Sequence, residues 1–226
     1  MREVKFIDMF AGIGGLALAF EETARSLGLD PILVSAIEKD QFAAETYQAN
    51  FGYNPLGDVK EIDELGDHDV LLAGFPCQPF SYAGDKRGFG EIRGTLFFDI
   101  MRLVDKNRPK LMILENVRGL LTNDDGKTIE TIQHEIEKRG YSFDWLMLNS
   151  VNFGVAQNRV RVYMICILNG KGNSLLLESN KGPPDSNNID ALGDVHPTVA
   201  SIIEDDVPNK YDCSPEFIEG IHCLLY

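Results

Sequence analysis

A chain of 226 residues with 44% hydrophobic and 25% charged content is long enough for one α/β domain with a substantial core. No apolar run reaches the ~18 residues a membrane helix needs, the start at Met1-Arg2-Glu3-Val4-Lys5 reads as strand rather than signal peptide, and Cys77, Cys166, Cys213 and Cys223 form no C-x-x-C pair, so neither a metal knuckle nor a disulfide framework is expected. The net charge of −14 argues against a polyanion partner for the chain as a whole, although it says little about a single cleft.

From Val4 to about Leu168 short apolar runs alternate with amphipathic stretches, the pattern of βαβ units around a mostly parallel sheet. The first predicted strand, Val4–Phe10, runs into Asp8-Met9-Phe10-Ala11-Gly12-Ile13-Gly14-Gly15, a glycine turn that opens a helix over Gly15–Ser26. Glycines there let a ligand approach the backbone beside the helix N-terminus. As a bare pattern the turn serves dinucleotide and nucleoside folds alike.

The second strand, Ile32–Ile37, ends at Glu38, where a carboxylate can accept hydrogen bonds from ribose hydroxyls; a helix follows over Gln41–Asn50. Asp58 comes after the Pro55-Leu56-Gly57 turn, and a solvated surface acid is an equal reading for it. The third strand, Val70–Ala73, leads into Phe75-Pro76-Cys77-Gln78-Pro79-Phe80-Ser81, which would put a thiol at the carboxyl edge of the sheet, where open α/β folds place their chemistry. Taken alone, Cys77 is more simply a small buried hydrophobe.

Between Gln78 and Thr95 lies a polar loop in which Gly84, Gly88, Gly90 and Gly94 are interleaved with Lys86, Arg87 and Arg93, a composition suited to a lid. A helix is predicted over Leu96–Asn107 and a fourth strand over Leu111–Leu114, ending at Glu115-Asn116-Val117. A carboxyl at a strand end among apolar neighbours would be desolvated and available as an acid; a helix cap or surface acid is the simpler alternative.

After a helix over Thr128–Arg139, strands at Phe143–Leu148 and Val160–Leu168 are joined by too few residues for a crossover helix, so they should pair antiparallel at one sheet edge. Arg159 and Arg161 fall on alternate residues and so share a face, with forks suited to phosphate or a base edge; surface ion pairing is the alternative. Beyond Leu168 the chain is turn-rich, shorter than the ~60 residues at which isolated domains are already marginal, and reads as a linker with the start of a further region.

As an ordered set these motifs, with Arg93-Gly94-Thr95-Leu96-Phe97 and Gln157-Asn158-Arg159-Val160-Arg161, resemble the DNA (cytosine-5) methyltransferases over roughly residues 4 to 168. The resemblance implies a three-layer αβα, Rossmann-like, S-adenosylmethionine-dependent fold with a seven-stranded, mostly parallel sheet and an antiparallel last strand. It implies that Cys77 adds to carbon 6 of a flipped cytosine, that Glu115 hydrogen-bonds the N3 and amino edge of the base, and that Arg159 and Arg161 steady the nucleotide. Phe10, Gly12, Gly14, Glu38, Asp58 and Pro76 would hold S-adenosyl-L-methionine; Gln78, Ser81 and Asn116 would touch substrate. Lys39 stands where an apolar residue is expected against the adenine.

The same resemblance implies duplex DNA as partner, no metal and no membrane, and the cytoplasm of a bacterial or phage-infected cell, in restriction-modification or phage self-protection. Residues 1–168 are then the catalytic domain and 169–226 a linker and the start of a target-recognition region that is truncated or supplied by a second polypeptide. Two alternatives stay open. A transfer-RNA cytosine methyltransferase shares these motifs but usually has a second proline where Phe75 stands. A non-catalytic binding module has no use for Cys77 and Glu115.

Overall fold

The computed structural model describes residues 1–76, 96–154 and 156–170. Their strands form one six-stranded sheet in the order β2-β1-β3-β4-β6-β5, from β1 (Arg2–Met9), β2 (Leu29–Ile37), β3 (Val70–Gly74), β4 (Leu111–Val117), β5 (Asp144–Asn149) and β6 (Val160–Ile167). The pairs β1–β2, β1–β3 and β3–β4 are parallel, whereas β6 runs antiparallel to both β4 and β5. The predicted antiparallel edge is therefore present, with β5 outermost.

Helices cover both faces. α1 (Gly15–Ser26) and α2 (Gln41–Phe51) contribute Ala17 and Tyr47 to a core with Phe6, Ala36, Val70 and Leu72. α3 (Leu96–Asn107) and α4 (Lys127–Glu137) place Phe97, Ile100, Met101, Leu103, Val104, Ile132 and Ile136 against Ile7, Met9, Leu71, Met112, Leu114 and Met164 on the other face. Alternate residues of each central strand thus serve two cores, which is why Val70-Leu71-Leu72-Ala73 is apolar throughout.

Two strands are longer than their apolar runs. β2 starts at Leu29 and passes through Pro31, which lacks an amide donor but sits on a strand that, among the described residues, is an edge paired with β1 alone. β4 continues through Glu115, Asn116 and Val117 because β6 still pairs with it after β3 has stopped. Gly74, the last residue of β3, lies opposite Glu115, so the polar end of β4 extends one register position and more beyond its parallel neighbour.

α2 begins where Asp40 accepts a hydrogen bond from the Ala43 amide at 2.8 Å and stops at Gly52 in the left-handed region. Among the described residues no helix is long and apolar enough to cross a membrane. The linker and recognition region predicted for 169–226 falls almost entirely outside the described residues.

Candidate active site

A cavity of about 410 Å³ opens at the carboxyl ends of β1, β2 and β3, a size usual for a small-molecule site. Phe10, Ile37, Val59 and Leu96 give it apolar walls, Glu38 and Asp58 contribute carboxylates, and Gly74 and Pro76 bring the end of β3 to it. Four of the six residues expected to hold the cofactor, Phe10, Glu38, Asp58 and Pro76, therefore line one cavity.

The turn after β1 carries three left-handed residues, Phe10 (φ 56°), Gly12 (φ 54°) and Gly14 (φ 97°). Phe10 has no glycine's freedom there; the turn is held by the Ala11 amide donating to the Ile37 carbonyl at 3.1 Å and the Gly14 amide to the Ala11 carbonyl at 2.8 Å. Among the described residues a Cβ on Gly12 would meet nothing within 4 Å, which leaves room there for a ligand. One on Gly14 would lie 2.1 Å from the Phe51 ring, so that glycine serves the packing of the turn against α2.

Glu38 fastens the glycine turn. Its Oε2 accepts from the Gly12 amide at 2.7 Å and its Oε1 from the Asp40 amide at 2.8 Å. Each oxygen has further acceptor capacity, so the carboxylate can hold the turn and still receive a hydroxyl.

Asp58 starts a 3-10 helix over Val59–Glu61, its Oδ1 accepting from the Lys60 amide at 3.0 Å. Its Oδ2 lies 2.6 Å from Lys39 Nζ. The hydrogen bond from Lys39 and the Lys60 amide hold the Asp58 carboxyl below its usual range, and Asp58 in turn raises the Lys39 ammonium. Lys39 is thus the ionic partner of the acid expected to meet the adenine amino group.

Glu115 lies beside Gly74, which lines the cavity. A Cβ placed on Gly74 would be 3.7 Å from both Glu115 Oε2 and the Phe10 carbonyl, so the carboxyl, the glycine turn and the end of β3 converge there. Its immediate neighbour is charged rather than apolar, which corrects the expected surroundings: Arg161 Nε lies 2.9 Å from Glu115 Oε1, with each side chain under a fifth exposed. Arg159 precedes β6 and is exposed. Tyr163, the register partner of Glu115 on β6, was not singled out by sequence; burial and then the Glu115 charge raise its phenol.

Asn116, expected to touch substrate, is instead buried and internally satisfied. Its Nδ2 donates to the Phe75 carbonyl at 2.9 Å and its Oδ1 accepts from the Val117 amide at 2.8 Å. The side chain is used to tie the segment after β3 to β4. Cys77, Gln78, Ser81 and the glycine-rich loop to Thr95 lie outside the described residues.

Asp8 is the polar residue that sequence reasoning passed over. It is wholly buried in β1 with neither carboxyl oxygen hydrogen-bonded, and burial, followed by the charge of Glu38, pushes its pKa up to about 8. A lone acid inside Phe6-Ile7-Asp8-Met9-Phe10 was the available signal.

A sheet of this order with a carboxylate-lined cavity at its parallel strand ends defines a Rossmann-like methyltransferase fold. Solved structures share it: Spodoptera frugiperda DNMT2 in a mutant form superposes with a TM-score of 0.60 at 22% identity, over 92% of this chain and 61% of that one. S. pombe Dnmt2 methyltransferase gives 0.58 at 23% identity, over 76% and 53%. The profile described as C-5 cytosine-specific DNA methylase matches residues 4–223, and the chain belongs to that family.

Curated relatives agree. The chain is 49% identical to the type II methyltransferase M.BanI of Aneurinibacillus aneurinilyticus over 96% of its own length and 51% of the relative's. It is 45% identical to M.HgiCI of Herpetosiphon aurantiacus over 98% and 54%. It spans about half the length of the curated relatives it matches.

Proposed function

We propose that this chain is the catalytic portion of a bacterial type II enzyme that methylates carbon 5 of cytosine in duplex DNA. The observation that carries the reading is the convergence at Gly74: the cavity lined by Glu38 and Asp58 and the Glu115–Arg161 pair meet at the end of β3, immediately before Cys77 in the chain.

The cavity fits S-adenosyl-L-methionine by its chemistry. Phe10, Ile37 and Val59 offer apolar surface to an adenine, Glu38 an acceptor to ribose hydroxyls, Asp58 an acceptor to an exocyclic amine, and Gly12 an unobstructed backbone. When bound, the cofactor supplies an electrophilic methyl group on a sulfonium.

The chain's residues act on the base. Cytosine carbon 5 is a poor nucleophile, so the Cys77 thiolate forms a bond to carbon 6 and the ring electrons move to carbon 5. Glu115, held by Arg161, meets the N3 and amino edge and relays a proton to N3 as the ring loses aromaticity. Once carbon 5 is methylated, loss of its proton and cleavage of the sulfur–carbon bond restore the ring and free Cys77. The base reaches these groups only by leaving the duplex. Arg159, exposed just before β6, steadies the nucleotide through its phosphate in this reading.

Residues 1–168 form the catalytic domain in this reading, and recognition of the DNA sequence belongs to a region beyond it or to a second polypeptide. The setting is the cytoplasm of a bacterium carrying a restriction-modification system.

Radiolabelled cofactor, incubated with the full chain and either mixed-sequence duplex DNA or bulk transfer RNA, tests the reading. Label is expected in DNA with Cys77 present and absent with Cys77→Ser. Label in transfer RNA alone, or label that survives Cys77→Ser, would overturn it.

A further inference from the structure

Val59 and Lys60 line the cavity from the 3-10 helix, and Leu96 lines it from the first residue of α3. The 3-10 helix opens the segment from Val59 to Leu65, which belongs to no strand and whose carbonyls need partners. α3 provides them with four side-chain hydrogen bonds. Arg102 Nη1 donates to the Ile62 carbonyl at 2.7 Å and Nη2 to the Val59 carbonyl at 3.0 Å; Lys106 Nζ donates to the Asp63 carbonyl, and Asn107 Nδ2 to the Leu65 carbonyl at 2.8 Å.

Arg102 differs from its two neighbours in what it holds. Val59 lines the cavity and follows Asp58, whereas Asp63 and Leu65 lie off it. The guanidinium is itself steadied by Asp99, whose Oδ1 is 3.5 Å from Nη2 one turn earlier on α3. A planar fork that grips two carbonyls at once fixes the rotation as well as the distance of the turn it holds, which a single donor cannot do.

We propose that Arg102 is a positioning residue for the cofactor cavity: by holding the Val59 and Ile62 carbonyls it sets the spacing between the Asp58–Lys60 wall and Leu96 of its own helix. The inference rests on the reading that this cavity takes S-adenosylmethionine. Arg102 makes no contact with the ligand in this account. It acts on affinity through the backbone that carries Asp58.

Calorimetric titration of the full chain with S-adenosylmethionine, and separately with adenosine, tests this. Arg102→Met keeps the aliphatic stem and removes the donors; it is expected to raise both dissociation constants about tenfold, with adenosine affected as strongly because the defect lies at the adenine wall. Asn107→Ser, which releases the same segment away from the cavity, should lower the melting temperature and leave both constants within twofold. Arg102→Lys, with one donor in place of the fork, should fall between wild type and Arg102→Met. If Arg102→Met melts below the assay temperature, Arg102→Lys decides.

Wild-type affinity in the deciding Arg102 variant would overturn the proposal. So would equal weakening by Asn107→Ser, which would reduce Arg102 to general stabilisation. A wild-type chain that takes up neither ligand would refute the cavity reading itself, a result distinct from either of these.

Discussion

Arg161 reaches diagonally from β6 to Glu115 on the adjacent β4: the register pairs Arg161 with Val117 and Glu115 with Tyr163, yet Nε and Oε1 stand 2.9 Å apart. The pair joins β6, the antiparallel neighbour of β4, to the residue opposite Gly74, the last residue of β3. It therefore fixes the Glu115 carboxyl beside Gly74.

Both partners are largely shielded, so removing one leaves the other charge poorly compensated. Glu115→Gln and Arg161→Gln should each destabilise the fold, and a double-mutant cycle in urea should give a coupling of about 1–3 kcal/mol. Coupling below a few tenths of a kcal/mol would mean the pair is a surface contact. In the methylation assay both single variants should lose most turnover, Arg161→Gln because Glu115 is no longer held.

The two turn glycines separate packing from ligand access. Gly14→Ala forces a methyl group into the Phe51 ring at 2.1 Å with φ at 97° and should cost about 2–4 kcal/mol. Gly12→Ala meets no neighbouring atom and should cost only the left-handed strain, about 1–2 kcal/mol. Its larger effect should be on cofactor affinity, since the methyl group projects into the space left open beside the turn. Equal melting temperatures for the two variants would contradict this division.

The contrast shows what the sequence could and could not carry. α1 and α3 have the predicted bounds, because their periodicity and the flanking glycines are local signals. The extension of β4 through Glu115-Asn116-Val117 is set by pairing with β6, a non-local cause that apolar patterning does not register. Phe10, Glu38 and Pro76 were legible because each follows the end of a strand, and Asp58 because it follows the Pro55-Leu56-Gly57 turn. The partners that occupy them, Lys39 on Asp58, Arg161 on Glu115 and Phe75 on Asn116, come from sequence separations of 19 to 46 residues and have no local signature.

Asp8 makes stability depend on pH with a defined sign. Its carboxyl binds a proton more tightly folded than unfolded, so between its ordinary value of 3.8 and about 8 the native chain holds up to one extra proton and loses stability as pH rises. The limiting slope for one proton is about 1.4 kcal/mol per pH unit. His68, lowered by burial, acts oppositely, its folded state gaining stability as pH climbs towards 6.5. Comparison with Asp8→Asn cancels that contribution. Urea unfolding at pH 5, 6, 7 and 8 should show the variant gaining on wild type at each step. A constant difference across the series would mean that Asp8 does not titrate in this range.

Lys39 offers a gain of function. Its ammonium occupies Asp58 Oδ2 at the cavity, the acceptor assigned to the adenine amine in the proposed reading, and the ligand must displace or share it. The Lys39 end of the pair is exposed, so its loss is worth no more than a few-fold in affinity. Lys39→Leu removes the competitor and adds apolar surface against the adenine, and should tighten S-adenosylmethionine binding about two- to fivefold. Salt supplies the internal control, because screening weakens an exposed ion pair in wild type and has no such pair to act on in the variant. Raising sodium chloride should therefore narrow the gap between the two dissociation constants. Weaker binding by Lys39→Leu at every salt concentration would instead make Lys39 part of the site, with its stem covering the adenine.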